Sequence, residues 1–299
     1  MDSSTASNEG KNFPHLTSSG TLHPEENVQP QQLNEMLGGL PHPAIDLAMG
    51  ACVLDVGREV GDWTRELAEC YPQRQIVRVQ TSTSAVQGAS MERKGWANVT
   101  YASVQDVLQL EDRFAPEAFD LIYVHFCVGE VMLQHFPRLI QSLLHLCKEQ
   151  GHLVWLEADL PITCDDAYER LAWLLISALR ARGDVVACLC VPQVGIAAWM
   201  DYWLHATSWN ITQAASYRAS VSAGAPLHDL FVQQMQYLAP QARSFLLHMQ
   251  VVTVQVLEEL FAQVQQETQD KEFFGFCPLY RFVCVKPSIW QSRRSWGKG

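Results

Sequence analysis

Residues 51–61 read ACVLDVGREVG. An apolar run leads into Asp55 and Gly57, and a second glycine follows at Gly61. A short continuous apolar run closed by a glycine turn is the pattern of a strand buried on both faces. The next residues, 62–72 DWTRELAECYP, carry Trp63, Leu67 and Tyr71 at helical spacing and stop at Pro72, so a helix follows the turn. Strand, glycine turn and helix form the first unit of an open α/β sheet. Ligands of such sheets bind outside the carboxyl ends of the strands, where strand order reverses.

The same alternation continues along the chain. QIVRVQTS (75–82) reads as a strand, STSAVQGASMERKG (82–95) as a helix and NVTYASVQ (98–105) as a strand. FDLIYVHF (119–126), the helical segment VMLQHFPRLIQSLLHLCKEQG (131–151) and HLVWLEAD (152–159) supply strand, helix and strand again. Strands alternating with helices require crossover connections, so the expected fold is α/β, a doubly wound and mostly parallel sheet with helices on both faces. After the helix DDAYERLAWLLISALRARG (165–183) the alternation stops. Residues 191–272 read as a mostly helical lid or substrate insertion, with a strand candidate at 199–211, and LYRFVCV (279–285) as a strand that completes the sheet. The expected division is a flexible tail at 1–30, a core at 31–190, the insertion at 191–272, and a terminal strand plus tail at 273–299.

The turn DVGREVG (55–61) resembles motif I of the class I S-adenosylmethionine-dependent methyltransferases, D-x-G-x-G-x-G. Four further segments fall in the family's order: VRVQTS (77–82), ASVQDVLQL (102–110), FDLIYVHFCVGEV (119–131) and LIQSLLHLCKEQGHLVWLEAD (139–159). The last is similar to the family's L-x-x-x-x-R-V-L-K-P-G-G helix, turn and fifth strand. The resemblance spans about the middle half of the chain, and CPLYRFVCVKP (277–287) looks like the terminal strand of small-molecule members. It implies a seven-stranded sheet and S-adenosylmethionine as cofactor, with S-adenosylhomocysteine as product. The implied cofactor positions are Asp55, Gly57, Glu59 and Gly61 in the motif I loop, Gln80 and Thr81 at the ribose, Asp106 and Val107 at the adenine, and His125. Two of them depart from the family pattern. Glu59 stands where the middle glycine lets the backbone approach the methionine part of the cofactor, and a side chain held at positive φ there costs roughly 1–2 kcal/mol. Gln80 stands where an acidic residue accepts from both ribose hydroxyls. A neutral bond in place of a charge-assisted one weakens binding roughly tenfold.

Methyl transfer is an in-line displacement at an activated carbon, so the protein mainly positions the acceptor and takes up a proton. Groups at the ends of the fourth and fifth strands are the candidates: His125, Cys127 and Glu130, then Glu157 and Asp159. His125 and Glu157 are the expected catalytic pair. Strand alternation would send His125 and Cys127 to one face. Each residue also has a plain reading: a hydrogen-bonded core histidine for His125, loop caps for Glu157, Asp159, Asp55 and Asp106. Trp199, Tyr202, Trp203, Trp209 and Tyr217 could line a lid over an apolar substrate or simply pack helix on sheet.

Composition narrows the partners. The chain has 299 residues, 48% hydrophobic, with 32 acidic against 21 basic side chains and a formal net charge of -11. That balance disfavours nucleic acid and leaves a small-molecule substrate, with a homodimer open. No apolar run approaches the roughly 20 residues that span a bilayer. Nine cysteines without a CxxC pair read as reduced thiols of a cytoplasmic protein, and no metal is expected. Two functional readings stay open: a methyltransferase for a small metabolite, and a chain of the same fold that binds another ligand, catalyses a different reaction or serves as a partner subunit. A nicotinamide-dependent oxidoreductase is disfavoured because GREVG lacks the full G-x-G-x-x-G.

Overall fold

A computed structural model describes Ile45, Leu47 and residues 50–57, 63–81, 96–128, 131–182 and 194–288. The tails at 1–30 and 289–299, Glu59, Gly61, Glu130, Cys188, Cys190 and the expected helix at 82–95 lie outside the described residues.

The elements in chain order are β1 (Cys52–Gly57), α1 (Trp63–Cys70), β2 (Gln75–Thr81), β3 (Val99–Val104), the one-turn α2 (Leu110–Arg113), β4 (Phe119–His125), α3 (Phe136–Leu146) and β5 (Cys147–Ala158). There follow β6 (Ile162–Thr163), α4 (Asp166–Arg182), α5 (Ile196–Ala206), β7 (Asn210–Ser220), α6 (His228–His248), α7 (Val254–Thr268) and β8 (Gly275–Val285). One sheet takes the order β3-β2-β1-β4-β5-β8-β6, with β7 pairing on β8. The pairs from β3 through β5 are parallel, and β8 runs antiparallel to β5, β6 and β7. The chain winds outward from β1 to β3 and then returns to β4 on the other side of β1. The reversal of strand order therefore falls between β1 and β4.

Strand alternation divides the core into two layers. Leu54, Val56, Ile122, Val124, Leu153 and Trp155 face one side, where α3 and α5 cover them with Phe136, Leu139, Ile140, Met200 and Trp203. Val53, Ile76, Leu121, Tyr123, Val154 and Leu156 face the other, against Leu67 and Ala68 of α1. A third cluster joins α4, α6 and α7 through Leu171, Phe231, Phe245, Leu246, Leu257 and Leu260. Helices thus cover both faces, as expected.

Among the described residues the sheet has eight strands where seven were expected. One addition is the two-residue β6. The strand candidate at 199–211 instead divides between α5 and β7. Ile196, Met200, Trp203 and Leu204 are buried at helical spacing on α5, and the strand itself begins at Asn210. β7 is NITQAASYRAS and alternates exposed with half-buried positions almost throughout. Its polar and small residues make that alternation faint in the sequence.

Candidate functional site

Gly57 ends β1 at φ 144, and a Cβ there would lie 2.0 Å from the carbonyl oxygen of His125 on β4. Only glycine permits this approach, so the first glycine of the turn is required by contact with the neighbouring strand. In the parallel register Gly57 lies beside His125, Asp55 beside Arg78, and Thr81 beside Val104. Gly57 at the end of β1, Gln80 with Thr81, and Asp106 with Val107 consequently follow one another along the carboxyl edge of the sheet. An extended nucleoside placed across β1, β2 and β3 needs that sequence of contacts.

Beneath this edge lies a polar cluster on the α1 side of the sheet. The Arg78 Nη1 donates to Asp55 Oδ1 at 3.0 Å and its Nη2 donates to the Gly57 carbonyl at 2.7 Å. The Thr64 hydroxyl, in the first turn of α1, donates to Asp55 Oδ2 at 2.6 Å. His125 Nε2 lies 2.9 Å from Asp55 Oδ1. Burial would raise the Asp55 carboxyl, but Arg78, His125 and Thr64 outweigh it and hold the group far below the usual carboxylate range. Burial, with Arg78 acting in the same sense, lowers His125 despite the opposing pull of Asp55. The ring is neutral at neutral pH. His125 Nε2 also lies 3.0 Å from Arg78 Nη1, so this one ring nitrogen faces both the carboxylate and the guanidinium. Asp55 thereby ties the start of α1, through Thr64, to the end of β1, through Arg78 and Gly57.

The expected catalytic pair is not brought together. Trp155 and Glu157 share a face of β5, and Trp155 lies beside Val124, so His125 projects to the opposite face. Cys127 leaves the His125 face as well. Phe126 adopts φ 52, which breaks the alternation, and Cys127 enters the core with Val124 and Trp155.

Glu157 is fully buried at the end of β5. Its Oε2 accepts from the backbone amide of Cys127 at 2.9 Å, that of Val128 at 3.3 Å and the Trp155 indole at 3.4 Å, and its Oε1 from the Ala158 amide at 3.2 Å. Burial pushes this carboxyl up to about 7 against those donors. Asp159 accepts from Leu160, Val194 and Gly195 amides at 2.8, 2.7 and 2.9 Å, pinning the chain before α5. The loop-cap reading describes it. Asp106 is exposed and accepts from the Leu108 amide at 2.9 Å, while Val107 is buried in the core.

Glu157 and Asp159 border a cavity of about 330 Å³ between the ends of β4, β5, β7 and β8 and the helices α4 and α6. Its wall includes Phe126, Val128, Leu171, Ala172, Val221 and Phe231. Phe126 follows the residue that registers with Gly57, which sets the cavity next to the end of β1. The aromatics expected as a lid pack elsewhere: Trp203 lies 5.5 Å from Phe136 and 5.7 Å from Trp199, and Tyr217 sits under the Arg281 guanidinium. Sequence reading missed Arg78 and the cavity wall. Arg78 had a signal, a charge within an apolar strand; the wall residues had none, because they look like any helix core.

Residues 53–151 match the family model of a methyltransferase domain. No curated protein matches. A solved protein from Bacillus halodurans C-125, described as a methyltransferase, shares 14% identity at a TM-score of 0.51, covering 86% of this chain and 100% of that one. The phosphoethanolamine N-methyltransferase 2 of Haemonchus contortus, solved with S-adenosyl-L-methionine, shares 16% identity at a TM-score of 0.46, covering 81% of this chain and 50% of that one. At such identities the likeness is one of fold, and the matched segment contains the strands β1 to β4 that carry the glycine turn. Residues 53–151 of this chain are thus similar to a methyltransferase domain, in a chain whose fold resembles that of solved methyltransferases.

Proposed function

We propose that the chain is an S-adenosylmethionine-dependent methyltransferase acting on a small molecule. The observation that carries this reading is the reversal of strand order at β1 and β4 with a cavity beside it, in a chain whose residues 53–151 match the methyltransferase domain. The cofactor's holding groups are the 57–61 loop, Gln80 with Thr81, and Asp106 with Val107. S-adenosylmethionine, when bound, supplies a methyl carbon activated by the sulfonium beside it.

The division of labour follows from burial. Asp55, Arg78 and His125 position the loop and do not touch the acceptor. Glu157 takes the acceptor's proton as the new bond to carbon forms, because it borders the cavity with a carboxyl that titrates near neutrality. Cys277 also lines the cavity, but burial and then Asp159 push its thiol up to about 12, which removes it as a nucleophile. The acidic surface speaks against nucleic acid. Among the described residues no helix is long and apolar enough to cross a membrane. Free cysteines among them suit a cytoplasmic setting, and a homodimer is compatible with this reading.

Isothermal titration with S-adenosylmethionine and S-adenosylhomocysteine tests the reading. Saturable binding of both is expected, with Gln80→Asp tightening it roughly tenfold by restoring a charge-assisted ribose bond. Absence of binding by the native chain, recovered only when Glu59→Gly and Gln80→Asp are combined, would favour the second reading, a methyltransferase fold turned to another ligand.

A further inference from the structure

From the cavity at the ends of β4 and β5 we infer the acceptor class: a compact, apolar molecule whose one polar group donates a hydrogen bond to Glu157. The inference rests on the methyltransferase reading for its chemistry, and on the cavity for its substance.

Among the described residues the wall is almost entirely hydrocarbon. Leu171, Leu175, Leu230, Phe231, Met235 and Phe261 represent it. Water held there would find few polar partners, so an apolar occupant gains by displacing it. The polar groups at the wall are mostly committed. Asp159 accepts from three backbone amides. Cys277 directs its thiol to the Asp159 carbonyl at 3.5 Å.

Glu157 differs in the quality of its bonds. Each carboxylate has one oxygen with a single amide donor, but Asp159 Oδ2 holds the Gly195 amide at 2.9 Å, whereas Glu157 Oε1 holds only the Ala158 amide at 3.2 Å and keeps a lone pair. A carboxyl in that state recognises a hydroxyl or an amine and rejects an anion. At about 330 Å³ the cavity lies at the lower end of small-molecule sites. A polar metabolite with several charged groups would leave them unpaired against hydrocarbon.

The test uses full-length protein and four probes below their micelle concentrations: 1-decanol and decylamine, which pair an apolar tail with a donor head; decanoate, which has the tail and an anionic head; and ethanolamine, which has the head without the tail. Titration at pH 8 is expected to show binding of the first two and none of the last two. Glu157→Gln is expected to cut the preference for decanol over decanoate by roughly threefold to tenfold, the worth of one hydrogen bond. Ala239→Phe, at a half-buried site on the wall, fills the cavity and is expected to abolish decanol binding with an unchanged far-ultraviolet spectrum and melting temperature. Ala172→Phe on α4 is a second filling variant.

Decanol binding that survives a folded filling variant, or ethanolamine binding as tight as decanol, overturns the inference. Binding of S-adenosylhomocysteine without either donor probe overturns it too and leaves the methyltransferase reading standing. Donor probes that bind and are displaced by filling, in a protein that ignores S-adenosylhomocysteine, uphold the cavity assignment and remove the methyltransferase reading.

Discussion

At the scale of single residues, burial assigns opposite roles to two carboxylates. Asp55 is charged and paired, and Arg78→Met would strand that charge. The expected loss is about 3–5 kcal/mol in denaturant unfolding; a loss under about 1 kcal/mol, the worth of an exposed pair, would contradict the geometry. The folded Asp55 carboxyl lies below its unfolded value of about 3.9, so its contribution is present above that pH and is lost as pH falls through the folded value. Glu157 has the reverse sign. Its folded value of about 7 exceeds the ordinary 4.5, so the stability it confers is full below pH 4.5 and disappears as pH rises through 7. The amount is on the order of 3 kcal/mol. Melts of the native chain and of Glu157→Gln across pH 4 to 8 should diverge in that window, and parallel curves would show that the carboxyl is not desolvated. At Gly57 a Cβ meets the His125 carbonyl, so Gly57→Ala should reduce both melting temperature and S-adenosylhomocysteine binding.

At the scale of elements, the helices that wall the cavity differ from those that cover the sheet. α3 and α5 pack on the sheet through Phe136, Met200 and Trp203. α6 borders open space and contains Pro240 in its interior. That proline withholds an amide from the carbonyl of Gln236 one turn earlier. Pro240→Ala should therefore raise stability by about 1–3 kcal/mol, measured by denaturant unfolding with far-ultraviolet circular dichroism. A loss of stability would mean that Pro240 sets the helix geometry around the cavity. β7 shows why elements in this half of the chain were hard to read. Ala214, Ala215, Ser216 and Ala219 present little contrast between faces, and the pairing partner β8 lies over fifty residues on, so the strand exists because β8 offers an edge.

At the scale of the whole molecule, the edge proposed for the cofactor and the cavity both lie at the carboxyl ends of the strands, and the sheet is the part on which both are built. A ligand that binds only the folded chain stabilises it by mass action. S-adenosylhomocysteine at a hundredfold excess over its Kd should add about 2.7 kcal/mol, read as a rise in melting temperature. Decanol should add its own increment if the two sites are distinct. Failure of the increments to sum would show that both ligands compete for one space.

The local sequence sufficed for the strands β1 to β5 and for the helices α1 and α3, because apolar runs and helical spacing are properties of neighbouring residues. Pairings between distant residues were left to tertiary structure. The register of β1, β2 and β4 brought Asp55, Arg78 and His125 to one buried point, and the turn at Phe126 sent Cys127 to the other side of the sheet. The close of α4 and α6 over the end of β5 decided that Glu157 borders a cavity while His125 does not. A carboxylate or histidine reads identically in sequence whether it faces hydrocarbon, water or a partner; its charge, and hence its chemistry, follows from which of these the fold supplies.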